Sequence, residues 1–136
     1  MSKTTETVLD IITAAYRLNT VIDEISAPSA EQGQAALVYL NNMLSNLQAD
    51  LQADLGWYNQ TDIQATAPLQ DQDVMAVKFL LATHIAVNTG IPISPDLSAA
   101  SNSAHRALTK RYIKIIDTDL TNLPFAQGGL FGPGRV

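Results

Sequence analysis

Apolar residues recur at the three- and four-residue spacing of one helical face in four stretches of this sequence, and no other feature constrains the fold more. These stretches cover approximately residues 5–19, 29–55, 71–89 and 94–120. Each is bounded by residues that start or stop helices, so the stretches are separate elements. The pattern predicts an all-α protein, a four-helix bundle-like domain.

The second and fourth helices have the clearest boundary signals. Ser29 and Gln32 form a capping box, in which each side chain accepts a hydrogen bond from a backbone N–H group that the helix leaves unpaired. Ser94 and Pro95 place a cap and a proline at the start of the fourth helix. Gly56 is positioned to end the second helix.

The third helix is bounded by acids at its start and a glycine at its end. Asp71 and Asp73 fall in the first turn, where the helix dipole favours negative charge. Gly90 follows the last periodic residue and is expected to stop the helix.

Residues 57–69, between the second and third helices, lose the helical period. Ile63, Ala65 and Ala67 alternate with polar residues, which is typical of extended chain. Pro68 has no N–H group and limits any strand here to a sheet edge. We expect a short strand or an extended loop.

The chain divides into a helical domain, residues 1–123, and a Pro/Gly-rich segment, residues 124–136. That segment holds four of the seven glycines and two of the six prolines, so regular structure is not expected. It also carries apolar side chains that a flexible linker does not need. We interpret it as an extended docking tail; the alternative is a frayed terminus.

Composition favours a protein with much of its surface in interfaces. Charged residues make up only 15% and hydrophobic residues 46%. The absence of cysteine excludes disulfides and thiol chemistry. The first twenty residues contain charges and no long apolar stretch, so we expect no signal peptide and synthesis in the cytoplasm.

The net charge of −5 argues against a dedicated nucleic-acid binder, which needs a basic face for phosphates. Arg106, Lys110 and Lys114 nevertheless lie four residues apart and share one helical face. This basic stripe is interpreted first as a solvated face. The alternatives are an acidic partner subunit, the protein's own acidic second helix, and last DNA phosphate.

Residues that could carry catalysis are few. His84 and His105 fit no metal-binding pattern, and His84 is expected in the core or an interface. Asp50 and Asp54 lie one helical turn apart but are expected on a solvated face. No nucleophile elbow or phosphate-binding loop is present in the sequence. We therefore expect no enzyme activity, cofactor or metal.

Leu47, Leu51 and Leu55 repeat every four residues within LQADLQADL. Because a helix turns every 3.6 residues, this row drifts around the helix axis. The drift predicts contact with more than one neighbour, and these leucines are expected to pack between subunits.

Several segments, taken in order, resemble the head-to-tail adaptor proteins of tailed bacteriophages, also called tail accessory factors or packaged-DNA stabilisation proteins, of the short-tailed type. The segments that carry the resemblance are AAYRLN, AALVYLNNMLSNL with Trp57 and Tyr58 after it, FLLATHIAV, IPISPD, RALTKRY and the Pro/Gly tail. The sequence departs from many relatives at Leu47, where they carry an aromatic residue, and in its short following loop.

The resemblance implies a structural protein of the virion, located at the head–tail junction. Such adaptors form a ring of about twelve subunits beneath the portal protein. The ring extends the DNA channel, retains packaged DNA without binding it specifically, and offers a platform to a tail nozzle or further connector protein; no membrane is involved. Portal docking would fall to Leu123, Pro124, Phe125, Leu130 and Phe131.

A second hypothesis remains open. The chain would then be a small helical regulator or binding module that uses the Arg106–Lys114 stripe directly.

Overall fold

Four helices account for most of the chain that the computed structural model describes, which is residues 2–19 and 26–112. They are α1, Val8–Leu18; α2, Ala30–Leu51; α3, Val74–Thr89, preceded by a 3-10 turn at Asp71–Asp73; and α4, Pro95–Tyr112. The predicted all-α class and the four helices are confirmed. The predicted end of the fourth helix, Lys114, the docking residues Leu123–Phe131 and the tail at 124–136 lie outside the described residues.

The first helix starts later than predicted, at a capping box that the sequence analysis missed. The Thr7 hydroxyl accepts from the Asp10 backbone N–H at 3.2 Å, and the Asp10 carboxylate accepts from the Thr7 backbone N–H at 3.0 Å. These bonds satisfy two of the N–H groups that a helix start leaves unpaired. Residues 2–7 are therefore outside the helix.

The second helix begins at the predicted capping box, where the Gln32 N–H donates to Ser29 Oγ at 3.1 Å. It ends at Gln52, which adopts the left-handed conformation at φ 51°, four residues before Gly56. The Gln48 side chain explains the early end. Its carbonyl accepts from the Leu55 N–H at 2.9 Å and its amide donates to the Trp57 carbonyl at 3.2 Å, so it folds the chain back.

Both boundaries of the α3–α4 connection are as predicted. Gly90 ends α3 in the left-handed region, at φ 74°. Ser94 Oγ accepts from the Leu97 N–H at 3.1 Å and caps α4, whose first residue is Pro95. The short connection makes α3 and α4 close neighbours, and they pack against each other.

The segment after α2 is extended, as predicted, and its partner is the start of the chain. The Thr4 N–H donates to the Leu69 carbonyl at 3.0 Å, and the Ala67 N–H donates to the Glu6 carbonyl at 2.9 Å. Isolated antiparallel bridges join residues 3 and 70 and residues 7 and 66. Lys78 then binds Glu6 at 2.7 Å and ties this pair of segments to α3.

The core lies around α3, which packs against α1, α2 and α4. Its largest fully buried side chains come from all four helices and the extended segment, among them Ile11, Leu40, Leu69, Leu81 and Leu108. Burial of this apolar surface supplies the main stabilisation of the fold.

The expectation that the leucine row packs between subunits is corrected by the structure. Leu47 and Leu51 are 7% exposed and Leu55 is 1% exposed, all within the protein's own core. The drift around the axis is absorbed because α2 ends at Leu51, and the turn that follows carries Leu55 inward. These side chains are therefore buried within one subunit.

Candidate functional site

A groove of about 540 Å³ runs between α2 and α4, and α3 forms its floor. It exists because α2 and α4 both pack on α3 and make little contact with each other. We call it the α2–α3–α4 groove. Its lining residues are Met43, Asn46, Leu47 and Asp50 from α2; Leu80, Thr83, His84, Val87 and Asn88 from α3; and Ser101 and His105 from α4.

The groove has an apolar floor and a polar rim. Val87 is 68% exposed, and Met43 and Leu80 are half-buried, so the floor is accessible. Asp50 and His105 are exposed at the rim. An apolar floor with a few polar groups at the edge is suited to an apolar side chain that brings its own backbone or charge.

His84 lies on α3, lines the groove and is half-buried. Its ring packs edge-to-face on Tyr39, with the ring centroids 5.7 Å apart. Burial lowers the pKa of His84 below the usual histidine value, because the charged form loses its hydration. His84 is therefore neutral at pH 7, and it contributes an aromatic surface to the groove. The sequence placed it in the core or an interface without indicating a groove.

The two histidines of the chain, His84 and His105, line the same groove. They lie on different helices, and no local pattern in the sequence pairs them. Only the packing of α4 on α3 brings them to one surface. Among residues 2–19 and 26–112, no three His, Asp or Glu side chains are grouped closely enough to hold a metal ion.

The basic stripe is only partly described. Arg106 and Lys110 are exposed, in agreement with a solvated face. Neither lies on the α2–α3–α4 groove, whose α4 wall is Ser101 and His105. The stripe and the groove are thus separate surfaces.

Arg111, beside the stripe, has a structural role that the sequence analysis missed. It forms an ion pair with Asp73, whose side chain is fully buried, at 2.9 Å. The Tyr112 hydroxyl donates to the same carboxylate. Burial, followed by the hydrogen bond to Asp73 and its charge, raises the pKa of Tyr112 above the usual tyrosine value.

Asp73 lies in the first turn of the helical segment that begins at Asp71, as expected, and its side chain has a further role there. Its side chain makes no capping hydrogen bond at the start of α3. The carboxylate instead accepts from Arg111 and Tyr112 and fastens the end of described α4 to the start of α3. A charge this deeply buried requires such partners.

Asp50 and Asp54 are both exposed, as expected for a solvated face. Asp54 accepts from the Gly56 N–H at 2.8 Å in the turn after α2, whereas Asp50 lines the groove. The two carboxylates therefore lie in different surroundings and do not form a paired acid–base site.

The geometry defines an all-α domain with a surface groove and a separate basic face. No protein-family model matches the sequence, and no curated protein shows significant similarity to it. The resemblance to the phage adaptors stays a prediction. In the part of the chain that the structure describes, none of the helices has the length and apolar character needed to span a bilayer.

Proposed function

We propose that this protein is a structural connector subunit of a tailed bacteriophage and has no enzymatic activity. It would assemble as a ring of about twelve copies beneath the portal, extend the DNA channel and present a platform to a tail protein. The proposal rests on the resemblance in helix order and motifs, and on one observation about the surface of the bundle.

That observation is the exposure of large apolar side chains on separate elements. Met75 on α3, Val38 on α2 and Tyr58 in the following turn are 57%, 56% and 68% exposed. Single exposed apolar residues are common. Here they occur in a chain with only 15% charged residues, so the surface has unusually few charges around them. A ring subunit has neighbours on two sides and uses such surface.

Helix α3 makes the same point in its own sequence. Lys78 is the single Lys, Arg, Asp or Glu residue of this helix. The helix packs against the three other helices. A helix that is apolar all round is normally buried in full. Met75 remains exposed beside a second cavity of about 320 Å³, between α3 and α4. This cavity offers an apolar surface to a neighbouring copy.

The charge distribution suits a channel component. The net charge of −5 repels phosphates, so DNA passes without being retained on the ring wall. Within this proposal the chain docks on the portal through Leu123 and, in the 124–136 segment, through Pro124, Phe125, Leu130 and Phe131. Ordering such a segment costs free energy, which apolar pockets on the portal would offset.

Mixing the purified protein with portal rings tests the proposal. We expect a stable complex by size-exclusion chromatography and an added ring below the portal in electron micrographs. Deleting residues 124–136 should abolish recruitment, whereas the isolated chain stays monomeric or weakly associated. A portal that fails to bind the intact chain would refute the connector role.

A matched pair of variants tests the exposed apolar surface. Met75→Asp introduces a charge into the expected contact between copies and should prevent ring closure on the portal. Ser98→Asp adds the same charge at an exposed position in the first turn of α4 and should leave assembly unchanged. Equal behaviour of the two variants would remove Met75 from the interface.

The alternative, a regulator that uses the basic stripe, retains support because Arg106 and Lys110 are exposed. Duplex DNA binding measured over a range of salt concentrations separates the two hypotheses. For a connector we expect weak binding that a Lys110→Ala/Lys114→Ala variant does not change. Tight binding that this variant abolishes would favour the regulator.

A further inference from the structure

The α2–α3–α4 groove offers an apolar floor that no described residue covers. Val87 is 68% exposed, and it lies with the half-buried Met43 and Leu80 along the floor. Exposed aliphatic surface of this kind gains free energy when another apolar group covers it. The occupant can be inferred from the chemistry of the rest of the chain.

Residues 121–136 match the groove in composition. Within this range, residues 124–136 contain three large apolar side chains, Phe125, Leu130 and Phe131, and one charged side chain, Arg135. The groove in turn carries one carboxylate among its lining residues, Asp50. Apolar anchors followed by a cation therefore meet an apolar floor with an acidic edge.

We propose that, before the subunit meets a partner, residues 124–136 of the same chain occupy the α2–α3–α4 groove. Leu130 and Phe131 cover the floor at Val87 and Leu80, and Arg135 lies near Asp50. Binding in the groove keeps the apolar side chains of the segment out of water. The proposal goes beyond the connector function and does not depend on it.

The chain is long enough to reach. His105, on the α4 wall, lies seven residues before Tyr112, which is about 10 Å along the helix axis. If α4 continued to Leu120, as the sequence predicts, the return to His105 would be about 22 Å. The ten residues from Leu120 to Leu130 span up to about 33 Å when extended, so the anchors reach the groove in either case.

Attachment to the same molecule favours this occupant over a separate one. A short connection within one chain holds the segment at an effective concentration of about a millimolar near the groove. In dilute solution that exceeds the concentration of any second copy. Because Asp50 is exposed, pairing with Arg135 adds little affinity, and its role is to set which residues of the segment meet the floor.

Because the chain has no cysteine, a disulfide between two introduced cysteines shows that these two positions come close together. In a Val87→Cys/Phe131→Cys variant of the isolated full chain, mild oxidation at low protein concentration should give a disulfide within one chain. Non-reducing gels and mass spectrometry would identify it. The matched control is Val38→Cys/Phe131→Cys, because Val38 is 56% exposed on α2 and lies outside the groove.

We expect the groove pair to form its disulfide at least about tenfold faster than the control pair, because docking raises the local thiol concentration. Equal rates for the two pairs would overturn the proposal. Disulfides between two chains that increase with protein concentration would also overturn it, because the occupant would then be a second copy. Circular dichroism of both variants checks that each is folded.

A second variant tests the position of the segment. Asp50→Asn in the groove pair should slow disulfide formation by about twofold to fivefold at low salt, in the range of an exposed ion pair. Asp71→Asn, an exposed acid outside the groove, should not. No effect of Asp50→Asn would overturn the placement of Arg135. All of these measurements use the isolated chain, so their failure is distinct from a failure to bind the portal.

Discussion

Arg111 and Asp73 join the two ends of the α3–α4 pair, with Arg111 Nη2 2.9 Å from Asp73 Oδ1 and Nε donating to the same oxygen at 3.0 Å. Asp73 is fully buried and the Arg111 side chain is 31% exposed. The Tyr112 hydroxyl occupies the other carboxylate oxygen. The ion pair thus fixes where the last described turn of α4 lies on the bundle, and α4 supplies one wall of the groove.

Removing Arg111 should leave the buried Asp73 carboxylate short of a partner. We expect Arg111→Gln to lower the free energy of unfolding by about 2 kcal/mol, because an uncompensated buried charge is costly. The measurement is urea unfolding followed by the fluorescence of Trp57, the single tryptophan. Arg106→Gln, at an exposed position on the same helix, should change it by less than about 0.5 kcal/mol. Equal effects would show that the ion pair contributes nothing specific.

Asn41 holds the turn after α2 against the helix. Its carbonyl oxygen accepts from the Trp57 indole at 3.2 Å and from the Gln60 N–H at 2.9 Å, and its amide donates to the Gln60 carbonyl at 2.9 Å. We expect Asn41→Ala to destabilise the protein by about 2–3 kcal/mol, because these buried groups lose their partners. Urea unfolding measures the loss, and the exposed Asn42→Ala is the control. A loss no larger than that of Asn42→Ala would contradict this role.

Gly56 and Gly90 form a natural pair for testing steric limits on the backbone. Both have positive φ, at 94° and 74°. A Cβ atom at Gly56 would lie 2.9 Å from the Pro68 carbonyl oxygen, whereas one at Gly90 would meet nothing within 4 Å. We expect Gly90→Ala to cost about 1 kcal/mol and Gly56→Ala about 1–2 kcal/mol more. Thermal unfolding of both variants checks the order, and equal costs would contradict the close approach to Pro68.

His84 should make stability depend on pH. Burial lowers its pKa in the folded state, so near pH 6.5 the unfolded state binds more protons than the folded state. The free energy of unfolding is therefore highest above about pH 6.5, and it falls as the pH drops from there toward the lower pKa of the folded state. Urea midpoints measured between pH 5 and 8 should show this slope, as expected for a half-buried histidine.

The control for this prediction is the other histidine of the groove. His84→Asn should flatten the slope, whereas His105→Asn, at an exposed position, should retain it. The other groups near His84 are Tyr39, in ring contact, and Asp50 and His105 on the facing groove walls. A slope that persists in His84→Asn would assign the pH dependence to a different group.

The groove could not be predicted from the sequence, although the helices that line it could. His84 and His105 belong to different helices, and the sequence gives no reason to place them on one surface. The position of Asp73 in a first turn predicts an interaction with the helix dipole, but it does not indicate the ion pair with Arg111 of α4. In both cases the decisive contact joins residues far apart in the chain.

The leucine row shows why spacing alone misplaces a surface. The four-residue spacing of Leu47, Leu51 and Leu55 predicts contacts between subunits, because the row drifts around an ideal helix. The left-handed residue Gln52 ends that helix, and the two side-chain bonds of Gln48 turn the chain so that Leu55 is buried. Leu47 and Leu51 are buried within α2 itself, and the four-residue error in the end of this helix accounts for Leu55 alone.

The sequence by itself determined the helical class, four helices and the boundaries at Ser29, Gly90 and Ser94. These depend on hydrogen bonds and apolar spacing within one or two helical turns, which local residues set. Only the tertiary structure decided that residues 2–9 pair with residues 63–71, that Arg111 binds Asp73 and that α2 and α4 leave a groove over α3. Such contacts depend on how helices pack in three dimensions, and no local pattern encodes that geometry.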